Sequence, residues 1–180
     1  MTEKKILDTA LTVFAKYGYY GATTRFIADE SGFSEVTLFR KFKTKKNLFY
    51  TILSKNQDKM LGELDEILAN NEFENPRDFL KALMDGVVDL TDKYFDFIRI
   101  LLNENCEISK KALDTFVDKI SHYIEKRFPN SKIDYDVLAL TILSFTYFII
   151  FDKIHGRTFI DHTNAVEEFI NQYAVLFSDK

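Results

Sequence analysis

The stretch from Thr23 to Leu48, TTRFIADESGFSEVTLFRKFKTKKNL, constrains the fold more than any other part of this chain. Gly32 divides it into two pieces too short to be stable alone, so each must lean on neighbours. Ile27 and Ala28 mark the inward side of the first piece, and Leu38 and Phe42, four apart, mark that of the second. Ser34 stands where a cap is needed for the second piece, with Glu35 at its positive end, and Thr44 caps whatever follows. Arg40, Lys41, Lys43, Lys45 and Lys46 then crowd cations around the end of the second piece. Two short helices at a tight turn, closed by a basic run, form the device that holds one helix in the major groove of a duplex.

The rest of the chain reads as helices of greater length. Ile6, Ala10, Val13, Phe14 and Tyr17 make one face of a helix from about Glu3 to Tyr17, which Gly18 is placed to end. A long helix is expected from Lys45 to about Ala69, followed by a polar break over Asn70 to Asn75. Asn75-Pro76-Arg77-Asp78 supplies a cap, a proline at the first helical position and an acid in the first turn. Helical spacing continues through Phe95 to Leu102 and Ser109 to Phe128, and a turn is expected over Pro129 to Lys132. Asp134 to Ile154 and Thr163 to Phe177 complete the pattern. No segment alternates like a strand, so the expectation is an all-α chain of about nine helices. It divides into a three-helix domain over 1–46 and a larger helical domain over 47–180.

Charge separates the same two regions. The net charge of −4 conceals +5 over residues 1–60 (11 Lys and Arg, 6 Asp and Glu) and −9 over residues 61–180 (13 against 22). Only the N-terminal end is suited to an anionic partner. The apolar run Val137 to Phe151 falls short of the roughly 20 residues of a membrane span. It is therefore read as a helix buried in protein on every side, and no membrane partner is expected. The first ten residues lack the apolar core of a signal peptide, which suits a cytoplasmic chain.

Residues 6–49 resemble the N-terminal domain of TetR/AcrR-type transcriptional regulators. The resemblance rests on Ala10 and Phe14, Gly18-Tyr19, the threonines before the second helix, Ile27-Ala28, Gly32-Phe33-Ser34, Thr37-Leu38-Phe39, Phe42 and the stretch Lys45 to Leu48. It implies a homodimeric, ligand-responsive repressor that binds a near-palindromic double-stranded operator. Thr23, Thr24 and Arg25 would meet phosphates, while Ser34, Glu35, Val36, Thr37, Phe39, Arg40 and Lys41 would face the groove. Lys43, Lys45 and Lys46 would anchor the backbone. Val36 stands where the family often has glycine, Phe39 where it has tyrosine, and Phe26 where a polar residue is common.

The resemblance also implies an effector cavity in the C-terminal domain and a dimer formed by the last two long helices. With 18 Phe and no Trp, flat apolar rings are plentiful; Tyr94, Phe97, Phe116, Phe145 and Phe148 are the expected cavity lining for an apolar or aromatic effector. Cys106 is read as a small buried residue, and His122, His155 and His162 lack metal-ligand spacing. No catalytic set, metal or cofactor motif accompanies them, so no enzyme activity and no cofactor are expected.

Overall fold

The structure is a computed structural model that describes residues 2–69, 73, 75–104, 106–129, 132–157 and 160–177. Among them it contains nine α-helices and a closing 3₁₀ turn, Val175–Phe177, with no strand. The helices are α1 Thr2–Gly21, α2 Thr24–Ser31, α3 Glu35–Phe42, α4 Lys45–Ala69, α5 Pro76–Lys93, α6 Phe95–Asn103, α7 Glu107–Arg127, α8 Tyr135–Ile154 and α9 His162–Ala174. The expected all-α architecture is thus what the chain adopts. The expected break at Asn70–Asn75 and the turn at Pro129–Lys132 lie largely outside the described residues.

Packing divides the chain into two compact units: residues 1–59 with 96–113, and residues 60–95 with 114–180. A functional boundary at 46/47 and this packing boundary are different divisions, because α4 leaves the first unit only after Lys59 and α6 joins that unit from far along the chain.

In the first unit Ile6, Ala10 and Phe14 of α1 meet Ile27 and Ala28 of α2, Leu38 and Phe42 of α3, and Leu48 and Ile52 of α4 as a buried core. α1 is broken at Gly18, whose φ of +68° an L side chain rarely adopts, so the chain turns at the glycine as its position suggested. The second left-handed position is Gly32 at φ +74°, whose N–H and that of Phe33 return to the last carbonyls of α2, Asp29 and Ala28.

In the second unit α5 packs on both α8 and α9. Asn75 caps α5 by accepting from the Asp78 N–H at 2.9 Å, with Pro76 at its start. α8 is 20 residues long and, by length and composition alone, apolar enough to cross a membrane. It fills the helix expected from Asp134 to Ile154, and the apolar run Val137–Phe151 lies inside it. Polar pairs nevertheless seat it against protein: Thr91 of α5 lies 3.4 Å from Thr146, and Asp152, near the end of α8, is 2.8 Å from His162 of α9. Within the single chain, 39% of its most apolar window is buried. Val137, Leu140 and Phe148 are 58%, 55% and 66% exposed along one helical stripe.

Two glycines in this unit make a matched test of packing. A Cβ on Gly86 of α5 would come within 2.8 Å of Ile67 Cγ2, a branched side chain with little freedom, whereas one on Gly62 of α4 would meet nothing within 4 Å. Gly62→Ala should stabilise the chain by about 0.5–1 kcal/mol through helix propensity alone. Gly86→Ala gains the same propensity but is overpacked by about 1–3 kcal/mol, so its melting temperature should fall while that of Gly62→Ala rises.

Candidate nucleic-acid interface

The helix pair assembles because each end is satisfied locally. Thr23 accepts from the Phe26 N–H at 3.1 Å to start α2, and Ser34 accepts from the Thr37 N–H at 3.2 Å to start α3. Thr44 accepts from the Asn47 N–H at 3.0 Å and starts α4. Replacing Ser34 by alanine should cost about 1 kcal/mol of stability, and by glycine only a few tenths, as a denaturant midpoint series would read.

With Leu38 fully buried and Phe42 4% exposed, the opposite face of α3 is turned outward. It presents Val36, 77% exposed, and Phe39, 41% exposed, with Arg40 and Lys41 also exposed. Thr37 is half-buried, with its hydroxyl 3.0 Å from that of Ser34. Lys43 and Lys46 are exposed. Lys43 is the one described non-glycine residue with positive φ, +65°, and its N–H donates to the Phe39 carbonyl at 2.8 Å as the chain leaves α3. Arg25 projects from the start of α2 with 84% of its side chain exposed, its guanidinium 4.0 Å from Asp29. Val36, Phe39, Arg40 and Lys41 are thus exposed on α3, as are Arg25 at the start of α2, Lys43 after α3 and Lys46 in the first turn of α4.

Three of the expected contact residues also have partners within the chain. The Glu35 carboxylate accepts from the Thr24 hydroxyl at 2.5 Å, so the pair ties the start of α3 to the start of α2, and neither group is simply aimed outward. Lys45 is half-buried, with Nζ 4.6 Å from the centre of the Tyr19 ring. Burial pushes the pKa of Lys45 below the ordinary lysine range, and the nearby Glu104 carboxylate partly restores it. The neighbouring Lys46 remains exposed, at 5.6 Å over Tyr50.

Sequence reasoning passed over the aromatic group behind this face. Tyr19 stands 5.0 Å from Phe49 and 5.4 Å from Tyr20, and Phe49 in turn is 5.0 Å from Phe14. Glu104, on the connector after α6, accepts from the Tyr19 N–H at 2.6 Å. No local signal links residues 85 positions apart; the only hint was an acid on the connector after α6.

The residues expected to line an effector cavity have different surroundings. Phe97 is fully buried in the first unit, while Phe116, 3% exposed, belongs to the second. Tyr94 is 7% exposed and donates to Glu63 at 2.8 Å; burial first, then that carboxylate, pushes its pKa up to about 12. Phe145 stacks on Phe169 at 4.8 Å. Phe148 is 66% exposed and lies on the open stripe of α8. Cys106 is half-buried, 3.1 Å from the Ser109 hydroxyl, and no group of three or more metal-ligating side chains occurs among the described residues.

Residues 6–51 match the family model described as bacterial regulatory proteins, tetR family. Over this segment the chain is of the TetR-family type. The relatives that match over longer stretches are described as HTH-type transcriptional regulators. It is 32% identical over 120 residues to the uncharacterized HTH-type transcriptional regulator YvkB of Bacillus subtilis, covering 56% of this chain and 64% of that protein. Across this and two further Bacillus subtilis regulators, the chain spans 46% to 64% of the relative's own length. The solved structure of a Clostridium perfringens putative fatty acid metabolism regulator superposes with a TM-score of 0.75 at 19% identity, over 98% of this chain and all (100%) of that one. FadR of Bacillus subtilis, solved in complex with stearoyl-CoA, superposes with a TM-score of 0.69 at 15% identity over 93% of this chain and 96% of that one. At such identities the likeness of the chain to these two structures is one of fold.

Proposed function

We propose that this chain is a cytoplasmic, homodimeric repressor that binds a near-palindromic DNA operator through α3 and releases it on binding a small apolar or aromatic effector. The observation that carries the reading is the open face of α3. Its inward residues Leu38 and Phe42 leave Val36, Phe39, Arg40 and Lys41 outward beside Arg25, Lys43 and Lys46, in a chain whose remainder is acidic. An α-helix fits the major groove, and such a cation set suits the flanking phosphates.

The exposed stripe Val137, Leu140 and Phe148 on α8 supports dimerisation. Apolar side chains at such spacing on a helix already packed on one side call for a second covering surface, and a two-fold axis supplies it from an identical copy. Dimerisation puts two α3 helices at a fixed separation, which requires two operator half-sites about a helical turn, or a multiple of it, apart. An effector favouring a different arrangement of the same dimer lowers DNA affinity, and DNA lowers effector affinity by the same factor.

The test is selection of bound fragments from the source genome by purified protein, followed by titration of the enriched fragment at several salt concentrations. A two-fold symmetric site bound with steep salt dependence supports the reading; absence of any enriched fragment at about 50 mM salt contradicts it. Melting shifts with acyl thioesters and with aromatic amphiphiles then distinguish effector classes.

A further inference from the structure

α6 is fastened to α1 at both of its ends, each time by a carboxylate. In its first turn, Asp96 accepts from the Thr12 hydroxyl at 3.1 Å. Just beyond its last residue, Glu104 accepts from the Tyr19 N–H at 2.6 Å. That second grip falls on the most unusual point of α1. Gly18, at φ +68°, breaks the helix there, and a Cβ added to it would lie 3.3 Å from the Glu104 carboxylate. The break strips Tyr19 of the regular helical arrangement, so an acceptor from another element takes its N–H. The Tyr19 ring in turn lies under the Lys45 ammonium at the start of α4, next to the cationic face. The same cleft, about 650 Å³, is lined by Tyr19, Lys46, Phe49, Tyr50, Asn103 and Glu104, among others.

We propose that Glu104 is a positioning residue for DNA binding: it fixes the Tyr19–Lys45 pair through the Tyr19 N–H and offsets one positive charge of the DNA-facing end. The inference rests on the DNA-binding reading above and deepens its regulation, because any displacement of the α6–α7 connector changes both the geometry and the charge of that end. Lys45 carries the trace of this contact, since Glu104 is the group that raises its pKa against the effect of burial. Glu104 touches no DNA in this account; it acts through Tyr19 and Lys45.

Two substitutions separate the two roles. Glu104→Gln keeps an acceptor for Tyr19 but removes the charge, whereas Glu104→Ala removes both. The probes are a genomic fragment enriched by the wild-type protein and an unrelated fragment of equal length. Glu104→Gln should bind both fragments about two- to fivefold more tightly at about 50 mM salt, with the gain fading as salt is raised. Glu104→Ala should gain the same non-specific attraction yet lose about fivefold or more of its discrimination between the fragments relative to Glu104→Gln, because the freed Tyr19 N–H no longer fixes the pair. Independently of DNA, the NMR titration midpoint of the Lys45 Cε should fall in Glu104→Gln and stay near the wild-type value in Glu104→Asp. Equal discrimination in the Gln and Ala variants, or an unmoved Lys45 midpoint in Glu104→Gln, overturns the inference. A wild-type protein that binds neither fragment overturns the DNA-binding reading instead, and the Lys45 titration still decides whether Glu104 acts on the pair.

Discussion

Phe148→Glu is expected to convert the dimer into monomers and to abolish operator binding at concentrations where the wild type is saturated. Phe148 is 66% exposed on α8 and stands in one stripe with Leu140 and Val137, so its ring is available to a second copy without rearrangement. Full burial of such a ring is worth about 1.5–3 kcal/mol, and a two-fold interface counts it twice. Dimer affinity should therefore drop by about a hundredfold or more, before the added cost of placing two carboxylates near one another in an apolar contact is included. Sedimentation reads the association, and helical circular dichroism checks that the fold survives. Because Phe148 is already exposed, the monomer's stability should change little. A variant that still sediments as a dimer would move the interface off α8.

Arg40→Ala and Lys46→Ala should both weaken operator binding, but in different ways. Both side chains are exposed on the cationic end of the first unit, Arg40 on the outward face of α3 and Lys46 in the first turn of α4. A guanidinium reading a guanine is worth about 1–3 kcal/mol of discrimination at each half-site, so Arg40→Ala should lose affinity for the operator and approach its own non-specific level. A phosphate contact carries no base information; Lys46→Ala should weaken every fragment similarly and flatten the salt slope by about two per dimer, one for each subunit. Binding isotherms of both variants on operator and unrelated DNA at several salt concentrations make the comparison. Identical losses on all sequences for Arg40→Ala would make it a phosphate ligand.

These residues also show where the sequence was legible. The helix starts at Ser34, Thr44 and Asn75 were readable because a cap is a contact between residues three apart. The inward face of α3 was readable for the same reason, since Leu38 and Phe42 fall on one side of any helix. Glu35 was not, because its partner Thr24 lies on the other helix of the pair and only the turn geometry brings them together. Lys45 looked like one more cation in a run; only the fold sets it over Tyr19 and near Glu104. The aromatic side chains were as hard to place. Aromatic composition says that rings will be buried, and not which of them face a cavity, so Phe97 and Phe148 ended at opposite extremes of exposure.

The central claim is that α3 reads DNA as one half of a symmetric pair. Hydroxyl-radical footprinting of the wild-type protein on its enriched genomic fragment tests it most directly. Two patches of protected sugars related by a two-fold axis, about one helical turn or a multiple apart, are the expected result. A single patch without symmetry, or uniform protection that follows the protein along any sequence, would contradict it.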